Sequence, residues 1–234
     1  MEMQRDEVLQ EGYAAAFEQL ITYIEALLPS REVIDGALRR TIRTYPTLAL
    51  RETIGNALIH QDFSLTGTGP VVEIFANRME VTNPGTLLVD RLRIIDNPPK
   101  SRNERLASLM RRMNLCEELG TGWDKIVLTS EAAHLPAPKI ELFEENTRVT
   151  LYAETPFNQL SAEDRLWACY LHACIQQTQH EQLTNHSLRT RFSLPDSSAG
   201  SISRLIKEAI QKKLIKPLDP DTAPRYMKYI PIWA

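Results

Sequence analysis

The chain has 234 residues, with 43% hydrophobic and 24% charged residues and 14 Pro against 9 Gly. This composition excludes collagen-like, coiled-coil and wholly disordered classes, and the length suits two domains of about 100 to 150 residues. The net charge of −3 hides an asymmetry: residues 158–234 hold ten Lys and Arg against seven Asp and Glu, so residues 1–157 carry −6.

In chain order, Tyr13 to Leu28 spaces apolar residues as an amphipathic helix does and stops at Pro29-Ser30. Thr47 to Gln61 predicts a second helix. A hairpin follows, with Val71–Phe75 and Met79–Thr82 as strands, halted by Asn83-Pro84-Gly85. Arg91 to Asn103 reads as a polar, proline-interrupted loop, and Glu104 to Met113 recovers helical periodicity. Gly120-Thr121-Gly122 opens a helix running to about Ala133, and strands are expected at Lys139–Phe143 and Arg148–Ala153 around a Glu144-Glu145-Asn146 turn. Pro156-Phe157-Asn158 reads as a linker. Beyond it, helices over Ala162–Gln177, Asn185–Phe192 and Ser198–Lys213 and a closing strand over Arg225–Ile232 spell a winged helix-turn-helix.

No run reaches the about 18 apolar residues of a membrane span, and the polar, acidic start is no secretory signal, so a cytoplasmic location is expected. Cys116, Cys169 and Cys174 are odd in number without a C-x-x-C, which reads as buried reduced thiols. Trp123 and Trp233 read as packing anchors, and His60-Gln61-Asp62 as a polar cluster ending a helix.

The chemistry concentrates in the second helix. Glu52, Asn56 and His60 recur at i, i+4 and i+8 and share one stripe. A carboxamide oxygen is a hard ligand for Mg²⁺, and a carboxylate one turn away can orient or deprotonate water. Asn83-Pro84-Gly85 after a strand and Gly120-x-Gly122 before a helix stand where backbone can approach closely and where a helix N-terminus can receive phosphates. G-x-x-x-x-G-K-[ST] is missing, which excludes a helicase motor of that kind.

The order of these features resembles the ATP-binding fold shared by gyrase, Hsp90, histidine kinases and MutL. LRETIGNALIHQDFS, TGTGPVVEIF, RMEVTNPG, SRNERLASLMRRMNLCEELGTGWDKI and KYIPIWA resemble the RecG-related ATP-binding proteins from about Tyr23 to the last residue. The resemblance implies an α+β chain, with a GHKL-like (Bergerat) α/β sandwich over residues 1–157 and a winged helix-turn-helix over 158–234. It implies ATP and Mg²⁺ as ligands, with Glu52 as the water-orienting base, Asn56 as the Mg²⁺ ligand, and Asn83 and Gly85 in the adenine pocket. Gly120 and Gly122 would approach the phosphates, and Asp90–Asn103 would be a lid whose Lys100, Ser101 or Arg102 meets them.

The chain departs from the wider group in two places: Asn83 stands where an Asp accepts from adenine, and Leu87 stands in place of a second glycine. Turnover, if any, would be that of a slow ATPase. The implied role is an ATP-binding, DNA-binding transcriptional regulator, with duplex DNA met by Ser201, Arg204, Lys207 and Lys212 and with homodimerisation available. Longer members carry an N-terminal AlbA-like domain ahead of this half. The alternatives are a DNA-binding or scaffold protein with a vestigial pocket, and a winged helix that binds protein.

Overall fold

A computed structural model describes residues 7–9, 11–35, 38–98, 100–116 and 122–234. Its elements run α1 (Tyr13–Leu27), β1 (Ser30–Asp35), β2 (Leu38–Arg43), α2 (Thr47–His60), β3 (Val71–Ile74), β4 (Arg78–Pro84), α3 (Glu104–Arg112), α4 (Gly122–Ala132), β5 (Lys139–Phe143) and β6 (Asn146–Tyr152). Then come α5 (Ala162–Thr178), α6 (Asn185–Arg191), α7 (Ala199–Gln211), β7 (Ile215–Pro217) and β8 (Tyr229–Pro231). The molecule is mixed α+β, as the sequence leads one to expect.

The larger sheet is antiparallel in the order β3-β4-β6-β5. Alternation sorts its faces. Met79, Val81 and Asn83 of β4 are buried beneath the helices, beside Leu151 of β6 and Ile140 of β5. On the other face Glu80 is also buried, clasped by Arg78 at 2.5 Å and Arg148 at 3.3 Å. α2 lies between β4 and α4 and buries both its apolar residues, such as Leu50 and Ile54, and the polar pair Glu52 and Thr53. Burying a carboxylate on a core helix carries a desolvation cost, so Glu52 marks a site.

The β1–β2 hairpin was not among the sequence expectations; Gly36-Ala37 between Ser30–Asp35 and Leu38–Arg43, a Gly-x pair separating two short segments, is the sequence signal that could have found it. Other elements differ at their ends. β6 starts two residues early, at Asn146, because Glu144 alone takes the left-handed turn conformation, at φ 51°. α7 stops at Gln211, with Lys213 left-handed at φ 57°. The expected closing strand is shorter, because Pro224–Tyr226 forms a 3-10 turn and only Tyr229–Pro231 pairs, with β7.

The C-terminal helices dock onto the rest rather than hanging from a linker. Phe157, at the expected linker, stacks edge-on against Phe192 at 4.8 Å, and Trp167 Nε1 of α5 donates to the Pro138 carbonyl at 2.9 Å. Glu131 of α4 lies 2.9 Å from His172 Nδ1 of α5 and 3.2 Å from Arg191 Nε of α6. Arg191 also donates to the Leu135 carbonyl at 2.8 Å. The Arg191–Glu131 approach lacks hydrogen-bond alignment, so its attraction is ionic. Burial lowers the pKa of Arg191, against the raising influence of Glu131.

Candidate functional site

One cleft, about 190 Å³ in volume, collects residues from widely separated parts of the chain. Glu52, Asn56 and His60 enter it from α2, Asn83 from β4, Lys100 and Ser101 from the loop before α3, and Gly122 and Trp123 from the start of α4. Helical spacing of four explains why the three α2 side chains share the wall, and sheet alternation brings Asn83 to the same side.

Gly122 sits directly on the α2 stripe. A Cβ there would lie 2.7 Å from Glu52 Oε2 and 3.2 Å from Asn56 Nδ2, so any larger residue would push the Glu52 carboxylate from its present position. Burial raises the Glu52 pKa, opposed by the nearby Lys125 and Arg51. The His60 imidazole is pushed the other way, lowered first by burial and then by Arg102. The carboxylate is thus biased toward holding a proton and the imidazole toward neutrality.

At the far end, Gly85 adopts φ +108°. A Cβ on it would meet Asp62 Cβ at 3.1 Å and Arg102 Nε at 3.3 Å, so a glycine is required there on two counts. The turn is held on both sides: Gly85 N donates to Glu145 O at 2.6 Å, and Thr147 Oγ1 donates to Gly85 O at 2.6 Å. Asn83 Nδ2 donates to Pro84 O at 3.1 Å, which turns its carboxamide oxygen away from that bond. Gly85 itself does not line the cleft; it shapes the wall behind Asn83.

Two sequence expectations are corrected here. Arg102 does not face the cleft, because its guanidinium is taken up by Asp62 at 2.9 Å, His60 O at 3.2 Å and Thr86 O at 2.8 Å. With Asn103 Nδ2, which donates to the Ile59 and Gln61 carbonyls, it satisfies the last carbonyls of α2. The segment from Asp90, a polar stretch expected to offer few apolar anchors and to take its order from a ligand, is already anchored: Ile95 is buried, Ile94 packs on the core, and Asp90 caps a 3-10 turn over Arg91–Arg93. A single Ile94-Ile95 pair in a polar loop carries no helical or strand periodicity, so its burial was not legible.

Gly120 lies outside the described residues. Thr147, opposite Asn83 in the β4–β6 register, and Arg111 were not anticipated although both line the cleft. Trp123, expected as a packing anchor, is buried and lines the cleft with its Nε1 lacking a partner; Ser101 Oγ is likewise buried and unpartnered. Two unsatisfied donors in one cleft are what an acceptor-rich ligand would complete.

Residues 67–151 match the family model described as "Putative ATP-dependent DNA helicase recG C-terminal". That segment is a RecG-related, ATPase-like region. It supplies Asn83, Lys100, Ser101, Gly122 and Thr147 to the cleft, while Glu52 and Asn56 precede it. No curated protein matches the chain. Among solved structures, the DIP2311 protein from Corynebacterium diphtheriae is similar in fold, with TM-score 0.58 and 17% identity over 93% of this chain. The chain spans 45% of that protein's length.

At the C-terminal end, Ser201, Arg204 and Lys207 are all exposed on α7, while Ile202, Leu205, Ile206 and Ala209 are buried beneath them. Lys212 is exposed just past the helix end. Asn185 Nδ2 reaches from α6 to Ala199 O at 2.9 Å and Ser203 Oγ at 3.0 Å, which fixes the angle between α6 and α7. Leu183 forms a bridge to Tyr229, adding a third short segment to the β7–β8 ribbon.

Proposed function

We propose that the chain binds an adenine nucleotide with Mg²⁺ in the α2–β4–α4 cleft and acts as a nucleotide-responsive, DNA-binding regulator. Residues 1–157 would form a GHKL-like ATP-binding domain and residues 158–234 a winged helix-turn-helix domain. The observation that carries the reading is the convergence of Glu52, Asn56, Asn83 and Gly122 on one cleft in a chain whose 67–151 segment is ATPase-like.

In this reading the Asn56 carboxamide oxygen holds the metal, which when bound neutralises phosphate charge. Glu52 orients a water and accepts its proton, a task its raised pKa suits. The Asn83 carboxamide oxygen accepts from the adenine amino group, its carboxamide held by the Nδ2 bond to Pro84 O. Ser101 Oγ and Trp123 Nε1 donate to ligand oxygens, and Lys100 supplies positive charge at the rim.

A route from cleft to DNA-facing helices supports the regulatory half. Ile94 and Asn97 line the cleft, while Leu92 O, two residues earlier, accepts from Tyr170 OH of α5. Trp233 Nε1 donates to that same hydroxyl at 3.1 Å, and the Arg93 guanidinium stands 5.1 Å over the Trp233 ring. A ligand that moves Ile94 or Asn97 would therefore act on α5 and on Trp233, two residues past β8.

The test has two stages. Mg-ATP should raise the melting temperature, because a ligand of the native state alone must do so. DNA binding should then differ with and without nucleotide, and Tyr170→Phe should reduce that difference while nucleotide binding persists. A second reading, a DNA-binding or scaffold protein with a vestigial pocket, is favoured by Leu87, an apolar side chain on the cleft wall. Failure of ATP, ADP and a non-hydrolysable analogue to bind at millimolar concentration would select it.

A further inference from the structure

A second, more open groove of about 770 Å³ adjoins the cleft, sharing with it Lys100, Ser101 and Arg111. The two therefore form one continuous channel. Its outer part is set by α3, where Glu104, Ala107, Ser108 and Arg111 recur at helical spacing on one face. Charge there is one-sided: Lys100, Arg105 and Arg111 stand against Glu104 alone. Among the described residues none of these three cations has an ion-pair partner, whereas Arg51, Arg78, Arg93, Arg102, Arg148 and Arg191 are all paired. Ser101 Oγ, buried and without a partner, sits at the junction of the two spaces.

We propose that this outer groove is an anion site for a phosphoanhydride chain. Three unpaired cations in a concave wall raise local anion concentration and desolvate a charged chain less than an apolar wall would. Arg111 lines both spaces, and a planar guanidinium suits two phosphate oxygens at once. Arg105, about a third of a turn to the side, lines only the outer groove. The same chemistry recognises the distal phosphates of a nucleotide whose base lies in the cleft and a free polyphosphate chain. In the first case the proposal deepens the nucleotide reading; in the second it stands without it.

The experiment is calorimetric titration of the whole chain with tripolyphosphate, ATP and adenosine, comparing wild type with Arg105→Gln and Arg112→Gln. Arg112 is exposed on the same helix but lines neither space, so it controls for general positive charge. Tripolyphosphate should bind wild type and compete with ATP. Arg105→Gln should weaken both about tenfold, Arg112→Gln neither, and adenosine should respond to neither change. If tripolyphosphate binds wild type and is weakened by Arg105→Gln while neither ATP nor adenosine binds, the groove stands as a polyphosphate site and the nucleotide reading falls. If ATP binds and ignores Arg105→Gln, the nucleotide reading stands and the groove proposal falls. Equal weakening by Arg105→Gln and Arg112→Gln would also overturn it, since diffuse charge would then suffice.

Discussion

Gly122→Ala perturbs the site through one methyl group. The added Cβ would lie 2.7 Å from Glu52 Oε2, where ordinary contact begins at 3.4 Å, and 3.2 Å from Asn56 Nδ2. The carboxylate must retreat by roughly 0.7 Å. Oε2 is the end of a flexible side chain, so rotation absorbs much of the clash, and the cost sits at the low end of overpacking, about 1 kcal/mol. Alanine recovers about 0.4–1 kcal/mol by restricting the unfolded chain, since Gly122 needs no left-handed backbone. Net stability should change little, with Tm falling by no more than about 4 °C.

The site should not be so forgiving, because a carboxylate moved by that distance no longer meets the same water or metal oxygen. Gly122→Ala should thus lose Mg-nucleotide binding or turnover while remaining folded. A double-mutant cycle with Glu52→Ala isolates the cause: removing the carboxylate frees the space, so the two stability changes should be non-additive by about 0.5 kcal/mol or more. Strict additivity in thermal melts, with nucleotide binding intact in Gly122→Ala, would refute the idea that Gly122 exists to admit Glu52 and Asn56.

Three further outcomes are expected. Asp124, its pKa pushed up to about 6 chiefly by burial, favours folding most fully below pH about 4 and loses that contribution as pH rises through about 6. Asp124→Asn should therefore raise Tm at pH 8 by about 2–4 °C and leave it unchanged near pH 4, its partial exposure keeping the gain near 1 kcal/mol; a gain as large at pH 4 would contradict this. Glu131→Gln strands the buried Arg191 guanidinium and should cost about 3 kcal/mol, a fall of roughly 6–12 °C by calorimetry, and a shift under about 2 °C would mean that Arg191 needs no counter-charge. In a salt series of DNA-binding isotherms, Lys212→Ala should flatten the slope on all sequences while Arg204→Ala should erase sequence preference, and salt-insensitive or absent binding would favour a protein partner for α7.

Regular elements were readable because periodicity is a local property. Strands β4 and β6 and the apolar face of α7 bury through their own spacing, and Glu52 and Asn56 could be marked as candidates from helical spacing, Asn83 from the family resemblance. Tertiary structure alone could decide what a side chain's neighbours are. Arg102 looks like any basic loop residue until the α2 carbonyls and Asp62 are folded against it, and all three of its guanidinium nitrogens then point at them and at Thr86 O rather than into the cleft. Thr147 and Trp123 gain meaning only because the β4–β6 register sets one opposite Asn83 and the start of α4 sets the other beside Glu52. The same holds for Tyr170 and Leu92, 78 residues apart in sequence yet joined by one hydrogen bond. The chain specifies its helices and strands by short-range spacing, and it builds its cleft from long-range contacts whose partners no local pattern names.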